Sequence, residues 1–162
     1  MDISQIPPTC DACGDLLGFD AWGCLLCGRF LCARHFVTRK GVAICEGCQA
    51  ERLRIESESV ISDAEEDRMV ALVVRDLVAT VGVGLEGIAA TEAARVRLFT
   101  YTLDEYEQKV VDDIQQRLHD ERLDTTWPTC PRHANHPLWY ANGVWSCPQV
   151  GAIARLGGLA TR

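Results

Sequence analysis

The stretch that decides the fold runs from Cys10 to Cys48 and reads CDACGDLLGFDAWGCLLCGRFLCARHFVTRKGVAICEGC. It contains four close pairs of metal-ligand residues, which are Cys10/Cys13, Cys24/Cys27, Cys32/His35 and Cys45/Cys48. Thiolates and imidazoles at this spacing are typical ligands of tetrahedral zinc, and the four pairs supply enough of them for two ions. A segment this short has few apolar residues to bury, so we expect the metal to hold it folded.

The placement of the cysteines favours zinc over disulfides. Seven of the nine precede position 50, and the other two, Cys130 and Cys147, lie near the C-terminus. An odd total and C-x2-C spacing are unusual for a disulfide framework. The opening Met-Asp-Ile-Ser lacks the features of a signal peptide, and the most apolar stretch, Leu77 to Leu85, is too short to cross a bilayer. We therefore expect a soluble, cytoplasmic protein with no membrane association.

The formal net charge of −7 is unevenly distributed along the chain. Residues 51–126 hold 18 acidic and 9 basic side chains, whereas residues 127–162 hold three arginines and no acid. Zinc bound by several thiolates adds further negative charge, because each thiolate contributes one unit against the two of the ion. Most of this surface would repel a phosphate backbone, so nucleic acid is an unlikely partner.

Three segments are predicted: a metal-held module over residues 1–50, an acidic helical segment over 51–126 and a knuckle with a tail over 127–162. In the middle segment, Ser62 and Glu65 fit a capping box that opens a helix. The apolar residues behind it fall at helical spacing and form one stripe: Val70, Val73, Val74, Leu77, Val78 and Val81. Gly82 or Gly84 would end this helix.

A second capping box, from Thr102 to Glu105, predicts another helix. Its expected buried face is Leu103, Tyr106, Val110, Ile114 and Leu118. His119, alone on that helix, is expected at the surface. Between the two helices a helical turn is expected from Leu85 to Ala94, and the alternating residues Arg95 to Tyr101 then predict a short strand. The simplest interpretation of the middle segment is a small helical core with a solvated acidic face. An acidic helix that binds a partner is the alternative.

The segment Cys24-Leu-Leu-Cys27-Gly-Arg-Phe-Leu-Cys32-Ala-Arg-His35 resembles the centre of cross-brace (treble-clef) zinc fingers of the RING, FYVE and B-box-like superfamily. The resemblance covers residues 10–48 only. Spacing alone does not fix which pairs share an ion, but such fingers interleave their two sites. The resemblance thus implies one zinc on Cys10, Cys13, Cys32 and His35, and a second on Cys24, Cys27, Cys45 and Cys48.

Glycines beside the ligand pairs suit the tight turns of such a finger. Gly14 and Gly28 follow a pair, and Gly47 lies inside one, so we expect all three in the left-handed conformation. Trp22 and Phe36 are expected to pack in the small core rather than form a ligand cage.

The chain departs from each relative in the residues that give that relative its activity. FYVE domains read phosphoinositides through a basic run before the third cysteine, where this chain has Asp20-Ala21-Trp22-Gly23. RING fingers usually order the central ligands Cys-x-His-x2-Cys and carry an apolar residue inside the first pair; this chain has a different order, with Asp11-Ala12 inside that pair. These departures argue against lipid recognition and leave a ligase role without its usual contact residues.

The C-terminal segment offers a third group of ligands, Cys130, His133, His136 and Cys147. Asn142-Gly143, flanked by aromatic and aliphatic residues, predicts a two-residue type I′ hairpin that would return Cys147 towards Cys130. A third zinc in a ribbon-like site is one interpretation. The other is an aromatic hairpin without metal, in which the three nearby tryptophans form an apolar patch. These tryptophans are Trp127, Trp139 and Trp145.

The sequence therefore predicts a small zinc-stabilised α+β protein with an N-terminal cross-brace two-zinc finger, a helical middle and a C-terminal zinc-ribbon-like hairpin. Closed four-ligand sites leave no open position for a substrate, so the predicted function is non-catalytic. Cys32 and His35 as a nucleophile and base, and a zinc hydrolase at the C-terminal site, are less favoured. We expect a module or adaptor that binds a protein partner; the alternative is a RING-like E3 scaffold in a ubiquitin-like conjugation pathway.

Overall fold

The computed structural model of the protein describes residues 9–18, 21–39, 41–82, 84–100, 102–121, 123, 126–133 and 136–160. Asp20 and Tyr101, both named above, lie outside these ranges. The chain divides into two compact units, Met1–Glu58 and Ser59–Arg162. The part of the middle segment from Ser59 onward and the C-terminal hairpin thus belong to one unit, whereas residues 51–58 belong to the first. Among the described residues, no helix is both long enough and apolar enough to cross a membrane.

The first unit consists of two short antiparallel hairpins and one helix. Strand β1 (Trp22–Gly23) pairs with β2 (Phe30–Leu31), and β3 (Phe36–Arg39) pairs with β4 (Val42–Cys45). A 3-10 turn over Glu46–Cys48 leads into helix α1 (Gln49–Glu58). All four residues of β4 are buried, as is Leu31. The core of this unit is therefore little more than one strand and the ligand residues around it.

Two expectations for the first unit need correction. The ring centroids of Trp22 and Phe36 lie 5.6 Å apart, so the two side chains do pack, but Trp22 remains 48 % exposed. Gly14 and Gly28 have positive φ angles of 77° and 72°, as expected. Gly47 does not, and that prediction was wrong because Glu46–Cys48 forms a 3-10 turn with ordinary negative φ.

The second unit contains helices α2 (Asp63–Thr80), α3 (Glu86–Arg97) and α4 (Leu103–Asp120). Helix α3 packs against both of the others. The predicted capping box at the start of α2 is confirmed: Ser62 Oγ accepts from the Glu65 amide, and the Glu65 carboxylate accepts from the Ser62 amide. Thr102 caps α4 in the same way by accepting from the Glu105 amide. Both helix starts were therefore readable from local sequence.

The buried face of α4 follows the prediction, and that of α2 follows it in part. Tyr106, Val110, Ile114 and Leu118 are fully buried on α4, as expected. On α2 two residues of the predicted stripe, Val73 and Leu77, are buried, together with Glu66, Met69 and Asp76, which the stripe did not include. Val78, placed in the predicted stripe, is 42 % exposed. Val70, Val74 and Val81 pack against the core partly buried, and the prediction missed Glu66 and Asp76 because a carboxylate looks like a gap in an apolar pattern.

The predicted strand over Arg95 to Tyr101 is wrong. Helix α3 continues to Arg97, and the described residues after it form a turn. The arginines that looked like the outward positions of a strand form ion pairs instead. Arg95 bonds Glu92 in its own helix and Asp113 in α4, while the nearly buried Arg97 bonds Glu66 at 3.0 Å. These pairs bind α3 to its neighbours.

A three-stranded antiparallel sheet completes the second unit. Its order is β5 (Trp139–Ala141), β6 (Val144–Cys147) and β7 (Gly151–Arg155). The predicted type I′ hairpin is confirmed, since Asn142 and Gly143 link β5 to β6 with φ angles of 52° and 77°. Leu138, Tyr140 and Trp145 pack with the helices in one apolar core. The sheet is thus part of the helical body and not a separate knuckle.

Candidate metal centres

The first and third ligand pairs lie together in the first unit. The donor atoms of Cys10, Cys13, Cys32 and His35 are all within 4.8 Å of one another. His35 Nδ1 is 3.6 Å from Cys10 Sγ and 3.3 Å from Cys32 Sγ, and the sulfurs of Cys13 and Cys32 are 3.9 Å apart. Zinc bond lengths place tetrahedral nitrogen and sulfur ligands about 3.4–3.8 Å from each other. The group therefore has the dimensions of a four-ligand zinc site.

The second and fourth pairs form another group in the same unit. The sulfurs of Cys24, Cys27, Cys45 and Cys48 also lie within 4.8 Å of one another, with 3.8 Å between those of Cys27 and Cys45. The Cys45 amide donates to Cys24 Sγ at 3.3 Å. Such a bond stabilises a thiolate and is the usual outer support of a cysteine ligand. The two groups thus take ligand pairs that alternate along the chain.

The first two ligand pairs are shaped by the same turn. The amide of Gly14 donates to the carbonyl of Cys10 at 2.8 Å, and the amide of Gly28 donates to the carbonyl of Cys24 at 2.8 Å. Each turn ends in the left-handed conformation that glycine adopts without strain. The repeated C-x2-C-G sequence therefore folds twice into one backbone shape that directs both sulfurs to the same point.

The thiols of each group ionise unequally when no cation is beside them. A backbone hydrogen bond from Cys32 lowers the pKa of Cys10 to about 6. Burial is the largest influence on Cys24 and raises its pKa, but three backbone hydrogen bonds outweigh it and bring the pKa to about 6. A hydrogen bond with the Cys45 thiol, together with burial, raises the pKa of Cys48 to about 12. Crowded thiolates repel, and a divalent cation removes that repulsion.

A third group lies in the second unit, where the structure brings together Cys130, His133, His136 and Cys147. His133 Nδ1 is 3.6 Å from Cys130 Sγ and 3.4 Å from Cys147 Sγ, and His136 Nε2 is 3.7 Å from Cys147 Sγ. Both cysteines are buried and belong to the apolar core. Two thiolates and two neutral imidazoles would balance the charge of a divalent ion, which suits this buried position.

The hydrogen bond of His136 fixes which of its ring nitrogens can bind a metal. Its Nδ1 lies 3.0 Å from the carbonyl oxygen of Pro137. A carbonyl oxygen only accepts, so Nδ1 carries the proton and Nε2 keeps the lone pair, on the side of Cys147. The sequence did not predict this contact with Pro137, because every residue has a carbonyl and only the backbone conformation decides which one the ring reaches. This support is typical of histidine ligands to zinc.

The tryptophans around the third group do not form one exposed patch. Trp127 and Trp145 are buried and pack edge to face, with ring centroids 5.4 Å apart. Trp139 alone of the three is largely exposed, at 68 %. His119 is also at the surface, as expected. The alternative of a shared aromatic surface is therefore wrong for this trio, because two of its members fill the core.

The three groups can hold metal ions, and their ligand types are compatible with zinc. Together they use all nine cysteines and three of the four histidines. Comparison with protein-family models, with curated proteins and with solved structures finds no match.

Proposed function

We propose that this protein is a zinc-binding interaction module in which three zinc ions act as structural cross-links and the surfaces they support bind a protein partner. The observation that carries the proposal is the completeness of the ligand sets. Each group contributes four nitrogen or sulfur donors within 4.8 Å of one another. A tetrahedral ion bound by four side chains has no open position for water or substrate, which is the mark of a structural site.

Exposed apolar side chains on the first unit support a binding role. In the described part of this unit, the largest exposures among big apolar residues are those of Leu16, Phe30, Leu53 and Trp22. A unit with so small a core would gain stability by burying such side chains in itself. Their position at the surface suits an interface, where aromatic residues are enriched.

Native mass spectrometry of protein expressed with zinc and purified without chelator tests the metal part of the proposal. We expect three zinc ions per chain. Cys147→Ser is expected to leave two, and so is Cys48→Ser, each by removing one site. A chain that carries no zinc under these conditions would overturn the proposal, and two ions in the parent chain would restrict it to the first unit.

The binding part is tested by cross-linking in the source cells followed by mass spectrometry. A partner should be recovered with the parent chain, bind it directly when purified, and be lost with the Trp22→Ser/Phe30→Ser double variant. The control is zinc content, which the double variant should retain because neither residue is a ligand. A partner recovered equally with both chains would contradict a role for these side chains.

A RING-like E3 scaffold in a ubiquitin-like conjugation pathway is the second candidate. It is favoured by the alternating use of ligand pairs in the first unit, which resembles the interleaved sites of a cross-brace finger. The test is the discharge of a charged E2-type partner in the presence of the zinc-loaded chain. No acceleration over the spontaneous rate would remove this candidate and leave the interaction module.

A further inference from the structure

A groove in the second unit lies beside the third metal group and is separate from its ligands. It has a volume of about 460 Å³ and runs between helix α4 and strand β5. Helix α4 contributes Asp112, Gln115, Gln116 and His119, and the other side includes Leu138 and Trp139. The buried Trp127 also lines it. The groove therefore combines polar groups from one helix with an aromatic and aliphatic surface.

The apolar side of the groove offers an accessible aromatic ring. Trp139 is 68 % exposed, whereas the residue before it, Leu138, is fully buried. An exposed tryptophan contributes little to the stability of the fold, so such a ring is often part of a binding surface. The face of an indole attracts a cation placed over it, more strongly than the other aromatic rings do.

The polar side of the groove is rich in hydrogen-bond acceptors. Gln115 Nε2 donates to the carbonyls of Trp127 at 3.0 Å and Leu138 at 3.3 Å, which fixes the orientation of its amide. Gln116 Nε2 likewise donates to Asp120. Within the described parts of the chain, neither amide oxygen accepts a hydrogen bond from a side chain. Gln115 thus has both of its amide donors occupied and Gln116 has one of two, while the acceptor oxygens of both remain available.

Two neighbouring carboxylates on α4 differ in whether a basic side chain is bonded to them. Asp113 points to the α3 side, where it pairs with Arg95 and Lys109. Its neighbour Asp112 lines the groove and, among the described residues, is bonded only by the neutral Gln108, at 3.0 Å. No described lysine or arginine lines the groove. Its lining therefore carries one carboxylate, Asp112, to which no described basic side chain is bonded, and its one histidine, His119, lies with Nδ1 3.5 Å from Asp120 Oδ1.

We propose that this groove binds an arginine side chain of the partner protein. A guanidinium has five donors and no acceptor, so it complements Asp112 and the two glutamine amide oxygens, and its planar group stacks on the indole of Trp139. A phosphate or carboxylate would meet Asp112 with no described lysine or arginine in the groove to compensate, and an apolar side chain would leave that carboxylate desolvated. This inference rests on the proposed interaction function and names the chemistry that one surface recognises.

The test is a titration of the ¹⁵N-labelled, zinc-loaded full chain with two small probes. N-acetylarginine N-methylamide carries the guanidinium, and N-acetylcitrulline N-methylamide replaces it by a neutral urea of the same shape. We expect saturable shifts of the Trp139 indole and Gln115 amide signals with arginine, and binding about tenfold weaker with citrulline, because the charged hydrogen bonds are lost. Equal binding of the two probes would overturn the proposal.

Matched variants separate the groove from the overall negative charge. Asp112→Asn removes the charge without changing the shape, and Trp139→Leu removes the ring; each should weaken arginine binding about tenfold. Asp67→Asn, an exposed carboxylate on α2 outside the groove, removes the same charge and should change binding less than about twofold. An equal loss with Asp67→Asn, or no loss with Asp112→Asn, would overturn the proposal.

The zinc content of the same samples distinguishes the two proposals. If a chain carrying three zinc ions does not bind the arginine probe, the groove proposal fails and the zinc module stands. If the chain carries no zinc and still binds the probe at Trp139, the module proposal fails and the groove proposal stands. Helix content by circular dichroism should be unchanged in all three variants, since the substituted residues are exposed.

Discussion

The indole Nε1 of Trp145 donates a hydrogen bond of 2.7 Å to the carboxylate of Asp76, and both side chains are fully buried. The same carboxylate accepts from the backbone amides of Gly157 at 2.8 Å and Leu159 at 2.9 Å. The Asp76 carboxylate on α2 thus accepts hydrogen bonds both from the central strand of the sheet and from the segment after β7. A buried carboxylate with several donors is stabilising only while those donors remain in place.

Replacing Asp76 by alanine should lower the free energy of unfolding of the second unit by at least about 3 kcal/mol, because three buried donors lose their acceptor. Asp76→Asn keeps one acceptor oxygen and should cost less. Hydrogen exchange of the α2 amides measures the change in this unit alone. Asp67→Ala, at an exposed position of the same helix, is the control and should cost far less than Asp76→Ala, because no buried donor loses its acceptor. Equal effects of Asp76→Ala and Asp67→Ala would contradict the anchoring role.

A substitution at Gly157, whose amide bonds Asp76, should have a steric effect. Its φ is +76°, and a Cβ added there would lie 2.6 Å from Leu72 Cδ2 and 3.3 Å from Leu72 Cα. Gly151 has a similar φ of +80° but no atom within 4 Å of such a Cβ. Both alanine variants should lose about 1 kcal/mol from backbone strain, and Gly157→Ala a further 1–2 kcal/mol or so from repacking.

The comparison of these two variants by thermal unfolding isolates the close approach between Gly157 and α2. Backbone strain is common to both, so it cancels in the difference. If Gly151→Ala were as destabilising as Gly157→Ala, the contact with Leu72 would contribute nothing, and the strain alone would account for both losses.

Local signals in the sequence predicted much of this fold. The capping residues Ser62 and Thr102 each act on an amide three positions away, and Asn142-Gly143 determines its own turn. Interactions between residues this close in sequence can be predicted without knowledge of the tertiary structure. The spacing of the four ligand pairs between Cys10 and Cys48 marked them as candidate ligands, but their division into two groups came from the resemblance to cross-brace fingers, and the C-terminal group was one of two interpretations.

What could not be predicted depends on residues distant in sequence. The segment from Arg95 to Tyr101 was predicted to be a strand because its residues alternate and are rich in strand formers. Its actual state follows from Arg97 meeting Glu66, 31 positions away, and from Arg95 meeting Asp113. Asp76 was overlooked because a carboxylate in an apolar helix face reads as a solvent position until its donors are known. The groove between Trp139 and helix α4 could not be predicted either, because Asp112 on that helix is distant from Trp139 in sequence.

Removal of zinc should affect the two units differently. The first unit buries little besides its ligands and strand β4, whereas the second has a continuous apolar core built from three helices and a sheet. We expect a chelator to abolish hydrogen-exchange protection in β1–β4 while α2 and α4 remain protected, because the first unit has little core besides its ligands, whereas Cys130 and Cys147 are a small part of the core of the second. Simultaneous loss of protection in both units would contradict this prediction.

Alkylation tests whether metal, rather than burial, protects the cysteines. Cys13 and Cys27 are exposed, whereas Cys10 and Cys24 are buried, yet all four belong to the two groups of the first unit. A zinc-bound thiolate reacts slowly because its electron pair is engaged with the ion. We therefore expect iodoacetamide to modify none of the nine cysteines rapidly in the zinc-loaded chain, and all of them after chelation in denaturant. Mass spectrometry of peptides gives the rate at each position. Fast modification of Cys13 and Cys27 beside intact Cys10 and Cys24 would mean that burial alone protects the thiols, and the first unit would then lack its metal.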